Sequence, residues 1–180
     1  VMLTYFVSTA VSKGEAMTLS LVLTGMVITA LFQAFITMNK YVADPDDKLP
    51  SITYWLMGGL SSTQLADLPL LLIPVAIGVI PMILFRYQLN ALSFGDEEAK
   101  ALGVNTRFIR ALFIVCATLV TAASVATAGM VGWVGLVIPH LARIVVGPNH
   151  KALLPASMLL GGLYLIIIDD LCRCLFAIEI

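Results

Sequence analysis

Charged residues are scarce in this sequence. Asp, Glu, Lys and Arg make up 12% of its 180 residues, and the formal net charge is −1. A soluble domain needs about 25% charged residues to cover its surface. The sequence also has no cluster of basic side chains, so we expect no nucleic-acid partner. With 60% hydrophobic residues, the composition excludes a soluble globular domain and favours a membrane protein.

Metal-ligating and catalytic patterns are absent as well. The three cysteines include one isolated Cys-x-Cys pair, Cys172 and Cys174, which is a weak metal signature. His140 and His150 have no third ligand at a suitable spacing, so we expect no metal site. The sequence has no Gly-x-x-x-x-Gly-Lys-Ser/Thr phosphate loop, and no serine has an evident histidine partner. We therefore expect neither ATP binding nor enzyme activity in this chain.

Long uncharged runs are abundant. A bilayer crossing takes about 20 apolar residues, because an α-helix rises 1.5 Å per residue. These runs predict an all-α, polytopic transmembrane helical bundle. The predicted spans are residues 17–39, 68–85, 107–127, 130–146 and 153–171, preceded by a helix tail at 1–12. A turn at 44–47 and a short interfacial helix at 52–60 separate the first two spans, and this helix contains Tyr54 and Trp55.

The run 111–142 carries no charge and is too long for one span. A helix of that length would extend about 48 Å, against a hydrocarbon core of about 30 Å. Gly129, Gly132, Gly135 and Pro139 interrupt it, so we expect two spans joined by a tight turn at 128–129.

The positive-inside rule supports this path. With residue 13 placed in the cytoplasm, seven basic residues fall inside and three outside. Those inside are Lys13, Arg86, Lys100, Arg107, Arg110, Arg143 and Lys151; those outside are Lys40, Lys48 and Arg173.

A polar island at 92–106 lies between two predicted spans on the cytoplasmic side. Ser93 followed by Asp96 is typical of a capping box, and Gly103 suits the left-handed position that ends a helix. Asn105 or Thr106 can cap the next span. The pattern predicts a discrete cytoplasmic helix at 94–102, with acidic residues at its positive end.

Two motifs carry a family resemblance. Residues 95–104, Gly-Asp-Glu-Glu-Ala-Lys-Ala-Leu-Gly-Val, resemble the coupling loop of the FecCD-type permeases, the membrane subunits of type II ABC importers for ferric siderophores, haem and cobalamin. Residues 129–143, Gly-Met-Val-Gly-Trp-Val-Gly-Leu-Val-Ile-Pro-His-Leu-Ala-Arg, are similar to that family's Gly- and Pro-containing signature, and the segment 54–59 is similar to its Trp-Met-x-Gly stretch. The resemblance implies one permease domain, 1–180. It would be the C-terminal portion of a ten-span fold, with about five to six spans and without the last helix.

The resemblance also implies roles for individual residues. The coupling loop 92–106 would contact an ATPase through Ser93, Gly95, Asp96, Glu97, Glu98, Leu102 and Gly103. A translocation path would include an inner gate at Thr18 and a stripe of Gly25, Thr29, Gln33 and Thr37, for which ordinary helix packing is an equal alternative. Arg173 would dock an extracytoplasmic binding protein, or pair locally with Asp169 and Asp170. The motif residues with a structural role are Gly132, Gly135, Pro139, His140 and Arg143.

The implied function is that of an ABC-importer permease in a bacterial or archaeal cytoplasmic membrane. Its expected partners are a separate ABC ATPase that holds ATP and Mg²⁺, a second permease copy, a substrate-binding protein and membrane lipid. Ferric siderophore is the first cargo expectation, ahead of cobalamin, haem and oxyanions such as molybdate. Alternatives are a zinc- or manganese-type ABC permease and a secondary transporter with its site at the 129–139 break. The latter predicts an ionisable residue in mid-membrane near the break, and 111–139 contains none.

Overall fold

The computed structural model of the protein describes residues 2–11, 17–59 and 64–175. These residues form nine α-helices and one short 3-10 helix, and no strand occurs among them. Contacts divide the chain into two compact units, residues 1–57 and 58–180, and each is described separately.

The first unit contains α1 (Met2–Val11), α2 (Met17–Val42) and α3 (Lys48–Met57). Thr4 and Ser8 of α1 are buried. A Cβ placed on Gly25 of α2 would lie 3.7 Å from Cγ2 of Thr4, so α1 and α2 approach through small side chains. The turn before α3 is confirmed, because the Asp44 side chain accepts a hydrogen bond from the Asp46 amide at 3.1 Å. The predicted turn at 13–15 lies outside the described residues.

The short helix α3 begins and ends earlier than the predicted 52–60, and Leu60 lies outside the described residues. Tyr54 and Trp55 are 62% and 50% exposed. This exposure agrees with the prediction of an interfacial helix.

The second unit starts with a 3-10 turn at Leu65–Asp67 and continues through six helices. They are α4 (Leu68–Leu84), α5 (Arg86–Leu92), α6 (Asp96–Ala101), α7 (Thr106–Ala128), α8 (Val134–Val146) and α9 (His150–Leu175). Helices α4 and α7 pack along one another, as do α8 and α9. The short helices α5 and α6 form the connection between α4 and α7.

Helices α4 and α7 approach closely at Gly78. This glycine is buried, and a Cβ there would lie 2.5 Å from Cγ2 of Val120 and 3.0 Å from the carbonyl oxygen of Cys116. Only a residue without a side chain lets the two helices approach this closely. Pro74 and Pro81 lie inside α4 without ending it.

The break between α7 and α8 was predicted correctly, but its form was not. A five-residue connection, 129–133, replaces the expected tight turn, and α8 begins at Val134 instead of residue 130. Gly129 has φ +70° and Trp133 has φ +66°. Helix α8 is about 20 Å long, so it needs the preceding connection, which can add at most about 16 Å, to cross a bilayer core. Gly135 and Pro139 do not break α8.

Burial in the described residues is unusual for a folded chain. Many of the buried side chains are small, among them Ala91, Ala99, Cys116 and Ala142, whereas Leu, Ile, Val, Phe and Met dominate the exposed surface. Four helices are long and apolar enough to cross a membrane by length and composition, at Leu19–Val42, Leu65–Leu84, Thr106–Ala128 and His150–Leu175. The large apolar side chains therefore face outward, as lipid contact requires.

Candidate functional site: the α5–α6 loop and its attachments

The candidate site is the loop that contains α5 and α6. Helix α6 covers Asp96–Ala101, shorter than the predicted 94–102. A glycine with positive φ stands at each end, Gly95 at +115° and Gly103 at +78°. The prediction for Gly103 is confirmed. At both positions a residue with a Cβ would be strained, so the two glycines define where the helix starts and ends.

The capping-box prediction for Ser93 was wrong. The residue before α6 is Gly95, and no side chain caps the helix there. The Ser93 hydroxyl instead donates to the carbonyl oxygen of Leu89, 3.1 Å away in the preceding turn of α5. A serine four residues after an available carbonyl can bond back along its own helix, and this bond displaces the cap. The next cap is as predicted, because the Asn105 side chain accepts from the Phe108 amide at 3.2 Å.

The three acidic residues of α6 have different surroundings. Asp96 Oδ1 lies 2.7 Å from Nη2 of Arg110 on α7, so this residue attaches α6 to its own protein. Sequence reasoning had placed Asp96 toward an ATPase and had given Arg110 no role at the site. The sequence does place Arg110 in the first turns of a predicted span, 14 positions after Asp96, and this was the available signal for the ion pair. The Glu97 side chain is 92% exposed, with a 3.5 Å contact to Lys100 Nζ, and Glu98 is exposed.

Apolar side chains complete the outer surface of the loop. Phe94 and Leu102 are 73% and 67% exposed, whereas Ala99 is fully buried within the chain. The loop therefore presents an acidic and apolar surface, formed by Phe94, Glu97, Glu98 and Leu102. Its inner side is held by the buried Ala99 and by the ion pair of Asp96 with Arg110. Such a surface can bind a complementary groove that has basic and apolar residues.

The other end of the loop is attached to α9. The Asn90 side chain of α5 accepts from the His150 backbone amide at 2.8 Å and donates to Oδ1 of Asn149 at 2.9 Å. Arg86 Nη1 donates to the Lys151 carbonyl oxygen at 3.3 Å. The predicted membrane path places all of these residues on the cytoplasmic side, and the contacts agree with that path. At the extracytoplasmic end of the predicted path, the Gly59 amide donates to the Ala128 carbonyl oxygen at 2.9 Å.

Arg173 lies near the end of α9 farthest from the loop. Its Nε donates to Oδ2 of Asp169 at 2.9 Å, and the Arg173 side chain is 63% exposed. The local ion pair foreseen as an alternative is therefore present. The exposed guanidinium retains further donors, so the docking role stays a prediction.

Comparison with known proteins decides the family. The FecCD transport family matches residues 1–180. The chain belongs to the FecCD transport family.

Individual FecCD relatives are similar over most of this chain. The molybdate import system permease protein MolB of Haemophilus influenzae is 40% identical over 162 residues, covering 90% of this chain and 48% of MolB. The hemin transport system permease protein HmuU of Yersinia pestis is 38% identical over 160 residues, covering 87% of this chain and 47% of HmuU. The chain thus spans about half the length of the curated relatives it matches.

A solved structure shares the fold. It is described as an inward-facing ABC transporter of metal-chelate type. It is 37% identical, with a TM-score of 0.90, and the match covers 99% of this chain and 56% of that one. The prediction of an all-α, multi-pass membrane permease fold is confirmed.

The predicted path residues of this FecCD chain do not form one uniform stripe. Gly25 faces Thr4 of α1, which agrees with the packing alternative. Thr29, Gln33 and Thr37 are exposed, and the Thr37 hydroxyl donates to the Gln33 carbonyl oxygen at 2.9 Å. Thr18 lies in the first turn of α2, but its side chain is outside the described part. The path assignment stays a prediction for these residues.

The five residues predicted to form a structural motif in the α7–α8 region are exposed. Gly132, Gly135, Pro139, His140 and Arg143 all have accessible surfaces, and a Cβ on either glycine would meet no atom within 4 Å. Nothing within the described chain requires these glycines. Among the described residues no group of three or more His, Cys, Asp or Glu side chains could hold a metal ion, and the absence of a metal site stays an expectation.

Proposed function

We propose that this chain is part of the membrane permease subunit of an ABC importer that moves a metal chelate into a bacterial or archaeal cell. Its FecCD membership, its permease fold and the names of its relatives support this proposal. A separate ATPase binds ATP and Mg²⁺ and drives transport. A second permease copy and an extracytoplasmic binding protein complete the assembly. The chain itself acts as a conduit, without enzyme chemistry or a bound cofactor.

The exposed surface of the α5–α6 loop carries this proposal. It comprises Glu97 and Glu98 of α6, which has a glycine at each end, together with Phe94 before the helix and Leu102 after it. A short helix with a fixed inner side and an exposed acidic and apolar outer side is suited to seat in a groove of a soluble partner. Movement of the ATPase would then act on the permease through this helix.

The cargo proposal is a ferric siderophore. A ferric siderophore is one kind of metal chelate, and the hemin relative supports iron-containing cargo. The molybdate relative makes an oxyanion the main competitor. Uptake of a radiolabelled ferric siderophore, in competition with excess haem, cobalamin or molybdate, separates these cargoes. Absence of labelled siderophore uptake, or suppression of that uptake by excess molybdate, would contradict the siderophore assignment.

A pull-down of a candidate ABC ATPase, co-expressed with the full-length permease, tests the function. We expect it to copurify with the wild-type full-length protein but not with Glu97→Lys or with a deletion of residues 94–102. Asp46→Lys reverses another exposed carboxylate in the α2–α3 turn, which the predicted path places outside the cell, and it should leave binding intact. If the ATPase never associates, or the deletion changes nothing, the ABC assignment fails and an ion-coupled carrier becomes the better explanation.

A further inference from the structure

Asn90 uses both ends of its side-chain amide to join α5 to α9. Its Oδ1 accepts from the His150 backbone amide at 2.8 Å and lies 2.9 Å from Nδ1 of the same residue. Because Oδ1 can only accept, Nδ1 of His150 carries the proton. The Asn90 Nδ2 donates to Oδ1 of Asn149 at 2.9 Å. Three hydrogen bonds therefore meet at one residue of a seven-residue helix.

Further contacts join the same two helices. Arg86 Nη1 donates to the Lys151 carbonyl oxygen at 3.3 Å, and the Lys151 ammonium lies 5.4 Å from the centroid of the Tyr87 ring. At the start of α9 itself, Asn149 Oδ1 also accepts from the Lys151 amide at 3.0 Å, which fixes the Asn149 side chain that Asn90 binds. We call Asn90, Asn149 and His150 the α5–α9 clasp. Together with the contacts of Arg86 and Tyr87, the clasp holds α5 along most of its length.

The packing of α5 against α7 leaves a gap. A cleft of about 320 Å³ opens between α5, α7 and the start of α9, lined by Leu89, Leu92, Phe113 and Ile114 among others. A helix that is hydrogen-bonded to one neighbour, and partly separated from another by a cleft, can move with the bonded neighbour. We therefore expect α5 to follow α9 more closely than α7.

From these contacts, we propose that Asn90 is a positioning residue that carries displacement of the coupling loop to α9. This inference rests on the proposed function, because it assumes that an ATPase moves α6. Helix α9 has 26 residues and is about 39 Å long. It would carry the displacement from the clasp to the opposite end of the helix, where Arg173 lies. The Asp96–Arg110 pair provides a second, separate attachment, to α7.

Asn90→Ala in the assembled full-length transporter tests the clasp. We expect ATPase association and basal ATP hydrolysis to change less than about twofold, because the outer surface of α6 is untouched. Cargo taken up per ATP hydrolysed should fall about tenfold, because three hydrogen bonds are lost. Asn39→Ala is the matched control, since its Nδ2 donates to the Phe35 carbonyl oxygen of its own helix; its uptake per ATP should equal that of the wild type.

Two conservative variants separate coupling from folding. Asn149→Asp keeps an oxygen that accepts from Asn90 and from the Lys151 amide, so it should retain uptake. Asn90→Asp keeps the acceptor for His150 but removes the donor to Asn149, so it should show an intermediate loss, and it carries the test if Asn90→Ala does not assemble. If Asn90→Ala assembles and takes up as much cargo per ATP as the wild type, the clasp proposal is wrong. If Asn90→Ala does not assemble, wild-type uptake per ATP in Asn90→Asp would overturn the proposal. Failure of the wild type to bind any ATPase would overturn the proposed function instead.

Discussion

Gly78 offers the sharpest test of how this chain is packed. Replacing it with alanine adds a Cβ that would lie 2.5 Å from Val120 Cγ2 and 3.0 Å from the Cys116 carbonyl oxygen. Ordinary contact begins at 3.4 Å, so α4 and α7 must separate by about 1 Å. Neither neighbour can easily move aside, because valine in a helix is largely restricted to one rotamer and the carbonyl oxygen belongs to the helix backbone.

We expect Gly78→Ala to lower the free energy of unfolding by about 1–3 kcal/mol, the usual cost of overpacking a close-packed interior. Gly162→Ala is the matched control in another membrane helix, since a Cβ there meets no atom within 4 Å. It should raise stability by up to about 1 kcal/mol through helix propensity. The two substitutions should therefore change the free energy of unfolding in opposite directions.

Unfolding of the full-length protein in mild detergent, followed by helical circular dichroism across a denaturant series, measures both variants. The same preparations can be tested for ATPase binding before denaturant is added, because α4 and α7 hold the two ends of the α5–α6 loop. If Gly78→Ala is as stable as Gly162→Ala, the close approach of α4 and α7 at Gly78 is wrong.

Two further predictions concern single contacts. Asp96→Lys should weaken ATPase binding about fivefold in a binding titration, because a half-exposed ion pair contributes about 1 kcal/mol. The double variant Asp96→Lys with Arg110→Asp restores a pair of opposite charges, so it should recover binding. If the double variant binds no better than Asp96→Lys alone, the attachment role of Asp96 is contradicted. Trp133→Gly should be more stable than Trp133→Val by about 1–2 kcal/mol in detergent unfolding, because φ is +66° at this position and a β-branched residue is strained there. Equal stability of the two Trp133 variants would mean that the left-handed conformation is wrong.

The helices of this chain could be predicted because their signals are local. Uncharged runs of span length gave α2, α4, α7 and α9 to within a few residues. Gly103 and Asn105 followed from the backbone freedom of glycine and the capping ability of an asparagine side chain, and both are confirmed. Each of these signals depends only on residues within one or two helical turns.

The attachments of the loop could not be predicted, because they join distant positions. Asn90 and His150 are 60 residues apart, and no spacing rule pairs them. Ser93 failed for a different reason, since its hydroxyl had two local partners available and the sequence does not indicate which one it uses. The left-handed backbone of Trp133 was also beyond the sequence, because no residue preference places a large aromatic side chain there.

The small buried side chains described above imply an inverted pattern of tolerance to mutation. In a water-soluble domain, large interior residues are the ones that resist replacement. Here a saturation scan should find Leu, Ile and Val largely interchangeable, because many of them face outward. The intolerant positions should instead be the smallest residues, such as Gly78, Ala91, Ala99 and Ala142. For this chain, substitutions that add volume at alanines and glycines should therefore cause the most damage.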